Sequence, residues 1–276
     1  MTATTITIDH YHDPIVKSTI LKMCRQLGGA RALNGDDGWY VHKGDYVRLR
    51  GLDDYENTVS RARSLYMTAD VFQQDVFGEQ EPWEKGRGNE GKPANPIGTR
   101  ADLVGYTLFA DIDATKDPDD QGDEAGKPRS KIYHEGRKEA LEAAAAFMVD
   151  YLKERGISGP IRVAFSGQGV YVFLHPGLSG RPEHNVDGEY RAWLMAFNAL
   201  LADIEKAFFK AQPKHTGRVK FDKLNNVKRK VKCILSIHRT QPFAVSPLDR
   251  DNPKIDFEAA RLSPTLPTET IEDAQT

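Results

Sequence analysis

Two aspartates at the end of an apolar segment are the residues of this chain best suited to chemistry. The segment 108–113 reads LFADID. Side chains alternate across a β-strand, so the carboxylates of Asp111 and Asp113 would leave one face about 6–7 Å apart, while Ile112 returns to the core. Paired carboxylates favour a hard cation such as Mg²⁺ or Mn²⁺, as two-metal nucleotidyl transfer requires. An acidic strand end that caps a loop is the alternative.

A second chemical signal is the turn Ser166-Gly167-Gln168-Gly169, which Tyr171 follows two residues later. Two glycines let backbone N–H groups approach a phosphate without interference from Cβ atoms. An ordinary hairpin turn explains the same residues. The turn alone therefore does not decide between a phosphate-binding loop and a simple connection.

The basic part of the chain contains a single acid, Asp222, which directly follows Phe221. This acid is either a third metal ligand or a salt-bridged surface residue. A strand over 231–237 would carry on one face Lys230, Lys232, Ile234, Ser236 and His238. Ammonium, hydroxyl and imidazole donors in one row suit a triphosphate, and a basic edge strand protected against aggregation is the alternative.

Charge is unevenly distributed, although the formal net charge is only −2. Seven acids and one lysine lie within 111–126, whereas 206–240 holds eleven Lys and Arg and one acid. A fold that joins these segments would set carboxylates beside a basic wall, an arrangement that suits metals with a polyphosphate or nucleic-acid backbone. Two solvated surface runs that never meet are the alternative.

The elements that must position these residues alternate between helix and strand. Helical spacing predicts helices over 13–27, 55–66, 135–155 and 189–210. Strands are predicted over 39–42, 46–49, 68–72, 106–112, 161–165, 170–174, 218–221, 231–237 and 243–245. This interleaving, with several hairpins, predicts an α/β (α+β) fold with a mixed or antiparallel sheet.

Length and composition exclude several classes of protein. The chain has 276 residues, 39% hydrophobic and 28% charged, which suits one large domain or two small lobes with a sizeable core. No apolar stretch approaches the roughly 20 residues that span a bilayer, and no export signal is evident, so a cytoplasmic location without membrane contact is expected. The isolated cysteines Cys24 and Cys233 exclude a CxxC-type zinc site and a disulfide framework.

Taken in order, these motifs resemble the archaeo-eukaryotic primase superfamily, above all the small catalytic subunit of archaeal and eukaryotic primases. The similarity spans about 36–260. The matching parts are an early hairpin with Trp39-Tyr40 and Asp45-Tyr46-Val47-Arg48, the metal strand 108–113, the turn at 166–169, and a closing block from Asp222 through Lys232 and Ser236-Ile237-His238 to 245–249.

The resemblance implies a two-lobed primase-polymerase core over 1–261, with an N-terminal lobe at about 1–105, an RRM-like catalytic lobe at about 106–261, and a flexible tail or linker at 262–276. It implies that two ions, Mg²⁺ or Mn²⁺, bind Asp111, Asp113 and Asp222, and no structural zinc is expected. The residues that it implies for nucleotide binding are Ser166, Gly167, Gln168, Gly169, Tyr171, Lys232, Ser236, His238 and Arg48.

The implied function is template-directed nucleotidyl transfer from NTPs or dNTPs on single-stranded DNA, by a DNA primase or primase-polymerase. The residues expected to hold the nucleic acid are Lys214, Arg218, Lys220, Lys228, Arg229 and Lys230. An accessory primase subunit, a C-terminal domain or a helicase is a candidate partner. The alternatives are a primer-extending repair or translesion polymerase that does not initiate, and a non-catalytic RRM-like nucleic-acid-binding module.

Three departures from the family pattern indicate a divergent or mobile-element enzyme. Tyr171 stands where the family has a histidine. The turn is shorter than in replicative primases and holds Gln168 in place of their paired arginines. The interval 114–160, in which those enzymes often carry a zinc knob, has no cysteine.

Overall fold

The structure is a computed structural model of the chain, and it describes most of the predicted elements. The described residues are 9–27, 29–35, 47–48, 55–56, 59–60, 62–73, 103–115, 135–157, 159–178, 187–223, 225, 229–239 and 243–261. Most of the predicted early hairpin, Lys228 and the tail from 262 lie outside these residues. Among the described residues, no helix is both long and apolar enough to cross a membrane.

The chain divides into two compact units that interleave along the sequence. Unit 1 comprises Met1–Thr107, Pro176–Ala192 and Asn226–Arg239. Unit 2 comprises Leu108–His175, Trp193–Asn225 and Thr240–Thr276. The chain therefore passes between the units several times, and each unit is assembled from segments distant in sequence.

The described part of unit 1 contains the three-turn helix α1 and two antiparallel sheets. Its elements are α1 (Pro14–Cys24), β1 (Gly29–Ala30), β2 (Ala32–Gly35), β3 (Val47–Arg48), β4 (Leu65–Thr68), β5 (Asp70–Gln73), β6 (Leu103–Tyr106) and β11 (Lys230–Lys232). One sheet has the order β1-β5-β6 and the other β11-β4-β2-β3. The predicted first helix is confirmed, and Asp13 caps it by accepting from the N–H groups of Ile15 and Val16.

Unit 2 is built on one five-stranded antiparallel sheet of order β10-β7-β9-β8-β12. Its elements are β7 (Phe109–Ala114), α2 (Glu135–Glu154), β8 (Ile161–Phe165), β9 (Gly169–Leu174), β10 (Val219–Asp222), β12 (Ser246–Leu248) and α4 (Phe257–Ala260). The helix α3 (Asp187–Ala211) begins in unit 1 and continues into unit 2. The fold class is thus α+β with antiparallel sheets, as the sequence predicts.

Helices cover one face of this sheet because every second strand residue is apolar. Ile112, Val163 and Val172 are buried on that face, and α2 packs against β7, β9 and β10. The Phe208 ring of α3 lies 6.1 Å from that of Phe221 in β10. The helix layer fixes which side chains must point to the opposite face.

The end of α2 follows the sequence prediction closely. Gly156 has a positive φ of 79°, a conformation that glycine adopts without a Cβ penalty. The N–H groups of Gly156 and Ile157 donate to the carbonyls of Lys153 and Leu152, which satisfies the last turn. The predicted stop at this glycine is confirmed.

Five predicted elements are wrong in their extent. The predicted strand 68–72 divides between β4 and β5, which belong to different sheets, and the predicted strand 243–245 lies just before β12. The predicted strand 106–112 is two strands in different sheets, β6 and β7, separated by Thr107 and Leu108. The predicted helix 55–66 ends early, since its last residues belong to β4. The predicted strand 231–237 ends at Lys232, because a turn follows in which Leu235 has a φ of 65°.

A buried arginine organises the core of unit 1. Arg31 is 1% exposed and donates to the carbonyls of Met23, Thr68 and Ala69, the Gln26 side chain and the Thr107 hydroxyl. Burial lowers the pKa of Arg31 to about 10, so the guanidinium stays charged at neutral pH. These bonds join the end of α1 to the junction of β4 and β5.

The two cysteines, isolated in sequence, are neighbours in this core. Cys24 and Cys233 are both fully buried and free, and their thiols share a hydrogen bond. Burial, together with the adjacent thiol, raises the pKa of Cys233. The Cys233 thiol is therefore protonated at neutral pH.

Candidate active site

The three aspartates occupy neighbouring positions on one face of the unit 2 sheet. Asp111 pairs with Asp222 across β7 and β10, and Asp113 follows two residues along β7. Directly paired residues of an antiparallel sheet share a face, so all three side chains leave the face opposite the helices. We call this the carboxylate face. All three aspartates are partly exposed on it.

Oxygen-only donors at adjacent register positions fit a hard divalent cation in their chemistry and backbone placement. The carboxylate ends are not gathered into a ligand cluster: within the described part of the chain, no three His, Cys, Asp or Glu side chains form a group that could hold a metal.

The predicted hairpin between β8 and β9 is confirmed, and its turn is internally bonded. The Ser166 N–H donates to the Gly169 carbonyl at 2.8 Å, and the Ser166 hydroxyl accepts from the Gly169 N–H at 3.0 Å. Gly167 has a φ of 94°, which a tight two-residue turn requires at its first central position. Ser166 is buried, whereas Gln168 is partly exposed. The serine therefore shapes the turn.

Position 169 requires glycine because the backbone there lies too close to β7 to leave room for a side chain. It pairs with Asp113 across β9 and β7. A Cβ on Gly169 would collide with the Ile112 carbonyl oxygen and lie 2.9 Å from Oδ1 of Asp113. The second glycine of the motif thus makes room for a predicted metal ligand, besides any contact it makes with phosphate.

Tyr171 lies directly across from Asp111 on the carboxylate face. Its ring centroid is 6.1 Å from that of Phe109 and 5.3 Å from that of Phe173, and all three rings are buried. The residue that replaces the family histidine is therefore anchored in an aromatic cluster beside the predicted metal ligands.

Two residues that the sequence analysis missed fix the strand of Asp222. The Asn225 side chain donates to the Phe109 carbonyl at 2.9 Å and accepts from the Phe109 N–H at 3.3 Å, as a paired strand residue would. The Asn225 N–H donates to the side chain of Asn198 on α3 at 3.0 Å. No local pattern marks an asparagine as such a bridge, since its partners are distant in sequence.

The remaining predicted nucleotide ligands lie in unit 1, and the prediction that they share one strand face is wrong. Lys230 and Lys232 belong to β11, which pairs with β4. The chain then leaves the strand, so Ser236 and His238 lie in an irregular segment. Arg48 is in β3, where it pairs with Ala32 of β2.

Ser236 is fully buried, and backbone groups engage its hydroxyl. The hydroxyl accepts from the Leu65 N–H at 2.7 Å. The Ile237 N–H donates to the Tyr11 hydroxyl at 3.0 Å, and that hydroxyl donates to the Arg63 carbonyl at 2.6 Å. The segment 236–238 is thus held by Tyr11, next to α1, and by Leu65 of β4.

His238, at the end of this segment, is the imidazole predicted to bind the triphosphate. It is 5% exposed, and the Nε of Arg63 donates to its carbonyl at 3.2 Å. Burial, with the nearby cations of Lys232 and Arg63, lowers the pKa of His238 to about 3. The imidazole is therefore neutral at pH 7 and would meet a phosphate as a neutral hydrogen-bond donor.

The predicted basic surface is divided between the units. Lys214, Arg218 and Lys220 are exposed in unit 2, and Lys220 pairs with Asp113 on the carboxylate face. Lys214 forms an ion pair with Glu139 at 2.5 Å. Arg229 and Lys230 are half-buried in unit 1.

Comparisons with known proteins show a likeness in structure alone. No model of a protein family matches the chain, and no curated protein sequence matches it. A solved structure that matches is the polymerase domain of ligase D from Mycobacterium tuberculosis in complex with DNA. The match has a TM-score of 0.50 and 13% sequence identity, and covers 98% of this chain and 87% of that one. The two proteins therefore share a fold.

Proposed function

We propose that this protein is a template-directed nucleotidyltransferase that synthesises or extends primers on single-stranded DNA, as a DNA primase or primase-polymerase does. The observation that carries the proposal is the register of the sheet in unit 2. Asp222 lies directly across from Asp111, and Asp113 follows on the same face, although Asp222 lies 109 positions after Asp113 in the sequence. The fold shared with a polymerase domain solved with DNA supports the same reading.

In this proposal the carboxylates of Asp111, Asp113 and Asp222 hold two divalent cations, Mg²⁺ or Mn²⁺. When bound, such ions lower the pKa of an attacking 3′-hydroxyl and stabilise the charge of the leaving pyrophosphate. Tyr171 packs beside Asp111 and limits the ways in which that side chain can turn. Gly169 leaves space for Asp113, and Asn225 fixes the strand that carries Asp222.

The chain's own donors orient the nucleotide in this proposal. In the turn 166–169, the N–H groups of Gly167 and Gln168 are the candidate phosphate donors, because those of Ser166 and Gly169 are bonded within the turn. In unit 1, the side chains of Lys232 and His238 are the candidate phosphate ligands. Because the Ser236 hydroxyl is engaged with the backbone of Leu65, we assign Ser236 the positioning of His238 rather than a direct phosphate contact. Neutral His238 contributes a directional hydrogen bond to the phosphate, and Lys232 supplies the positive charge.

The decisive experiment is synthesis on a homopolymer template, with and without a primer, with each nucleotide type and each metal. We expect incorporation by the wild type and a loss of at least about 10³-fold in Asp111→Ala and Asp113→Ala, because each removes a ligand of the transition-state charge. The matched control is Asp251→Asn, which neutralises an exposed carboxylate outside the carboxylate face.

The outcomes separate the candidate functions. Synthesis without a primer identifies a primase, and extension of a primer alone identifies a polymerase that does not initiate. DNA binding without incorporation under any condition identifies a non-catalytic module. Near-normal incorporation by Asp111→Ala would refute the metal assignment.

A further inference from the structure

Arg162 of β8 lies on the carboxylate face, away from the motifs that the sequence analysis identified. It pairs with Phe173 of β9, which pairs in turn with Phe109 of β7. Phe109 precedes Asp111 by two residues on the same strand and the same face. Arg162 therefore shares the face of the predicted metal ligands, two strands away from them.

The charge of Arg162 is uncompensated. The side chain is half-buried, and among the described residues it has neither an ion pair nor a hydrogen bond. Desolvation alone lowers its pKa, and no carboxylate opposes that effect. A guanidinium that is partly removed from water without a counter-ion destabilises the folded state unless a ligand supplies the charge.

The contrast with other cations of the chain supports this reading. Arg31, which is buried more deeply, makes five hydrogen bonds to groups around it. Lys153 and Lys214 each face a carboxylate at 2.5 Å. Among the described residues, Arg162 differs from these three cations because no carboxylate or carbonyl accepts a hydrogen bond from it.

We propose that Arg162 binds a backbone phosphate of the nucleic-acid strand that lies across the carboxylate face. The inference rests on the proposed function and extends it to a phosphate site that none of the motifs contains. Arginine suits this role because its planar fork can form two hydrogen bonds to one phosphate, and such a contact carries no base specificity.

The position of Arg162 favours a strand phosphate over the triphosphate of an incoming nucleotide. Strand spacing and rise place the Arg162 backbone about 12 Å from that of Asp111. The turn 166–169, the proposed triphosphate cradle, lies at the opposite end of β8, beyond the row that holds Asp111 and Tyr171. Arg162 also lies on the far side of the sheet centre from Lys220 in β10.

The test compares Arg162→Gln with Arg155→Gln in binding to a labelled oligothymidylate, in Mg²⁺ and without nucleotide. Both changes remove one positive charge, and exposed Arg155 stacks on Tyr151 at the end of α2 rather than on the sheet face. We expect Arg162→Gln to weaken binding about 3- to 10-fold and to reduce the slope of log affinity against log salt by about 0.7. Arg155→Gln should match the wild type in both.

A second variant and a kinetic measurement complete the design. Arg162→Lys keeps the positive charge but loses the planar guanidinium that can form two hydrogen bonds to one phosphate. It should retain most of the slope of log affinity against log salt, and its affinity should lie between those of the wild type and Arg162→Gln. The KM for nucleotide should be unchanged in both variants at saturating DNA. Equal DNA binding by Arg162→Gln and Arg155→Gln, or a raised nucleotide KM with normal DNA binding, would overturn the assignment.

The same data distinguish failure of this inference from failure of the proposed function. If the wild type binds oligothymidylate and incorporates nucleotide while Arg162→Gln binds normally, only the Arg162 site is wrong. If the wild type neither binds the strand nor incorporates nucleotide, the proposed function fails, and the Arg162 site fails with it.

Discussion

The carboxylate face of unit 2 and the segment 236–238 of unit 1 hold their candidate ligands in opposite ways. Asp111, Asp113 and Asp222 stand on regular strands, whose alternation alone fixes the face they occupy. Ser236 and His238 follow a turn with a positive φ and have no strand to orient them. The segment is held by hydrogen bonds in which the Tyr11 hydroxyl accepts from Ile237, and Arg63 and Leu65 donate to His238 and Ser236.

The difference teaches where each region is vulnerable. A sheet face is built from many equivalent backbone bonds, so only a steric intrusion between strands displaces its side chains. An irregular segment depends on a few specific side chains, so the loss of one hydroxyl shifts it. One substitution in each region tests that contrast, and the response to acid then compares the two units.

Gly169→Ala should cause the largest loss, because the added methyl group collides with the Ile112 carbonyl and approaches Asp113. We expect about 10²-fold lower incorporation, since a ligand displaced by about 1 Å loses that much, and about 1–3 kcal/mol of destabilisation. Incorporation assays and urea denaturation measure the two effects.

The matched control for Gly169 is Gly156→Ala, which has a positive φ and no atom within 4 Å of the added Cβ. It should lose about 1 kcal/mol of stability through backbone strain and keep full activity. If Gly169→Ala were as active as Gly156→Ala, close packing of the two strands would not position Asp113.

Tyr11→Phe should weaken the irregular segment selectively. It removes the hydroxyl that accepts from the Ile237 N–H and donates to the Arg63 carbonyl, leaving two buried groups unpaired at a cost of about 1–3 kcal/mol. We expect the KM for nucleotide to rise about 5- to 10-fold, with kcat changed less than twofold. Steady-state kinetics with saturating DNA measure the split.

Tyr55→Phe controls for the loss of a buried tyrosine hydroxyl in the same unit. Tyr55 donates to the Tyr11 carbonyl and makes no bond to the segment 236–238. It should lose stability with little change in KM. Equal KM values for the two variants would show that Tyr11 supports the unit generally rather than the placement of His238.

Acid should destabilise both units, because their buried histidines are neutral. Burial lowers the pKa of His10 and His238 in unit 1 and of His215 in unit 2, relative to about 6.5 in the unfolded chain. The unfolded state therefore takes up protons first as pH falls below 6.5, and the free energy of unfolding decreases by up to about 1.4 kcal/mol per pH unit for each histidine. Stability should be greatest above pH 7.

His215→Phe isolates the share of unit 2 in this acid sensitivity. His215 is fully buried, stacks on Phe208 with centroids 5.9 Å apart, and has no hydrogen-bond partner for either ring nitrogen among the described residues. The phenyl ring should raise stability and reduce the loss between pH 7.5 and 5.5 by about 1 kcal/mol.

Urea denaturation of His215→Phe and of the wild type at the two pH values measures this effect. An acid sensitivity of His215→Phe equal to that of the wild type would show that His215 is not protonated on unfolding in this range.

Much of the fold and of unit 2 could be predicted from local pattern. Local pattern predicted strands close to β8 and β9, and the glycine after α2 predicted the end of that helix. The motif order also resembles one superfamily, and the sheet register places the three aspartates on one face. What could not be predicted was the extent of strands that break: nothing in the apolar run 106–112 shows that two sheets share it.

By itself, the sequence determined which side chains alternate on the strands and which chemistry they can support, because periodicity and donor type are local properties. Only the tertiary structure decided that Asp222 pairs with Asp111, that Asn225 completes the ladder of β7, that Cys24 meets Cys233, and that Arg162 shares the carboxylate face. These contacts join segments far apart in the chain, and their geometry depends on the register of whole strands, which no short window of residues contains.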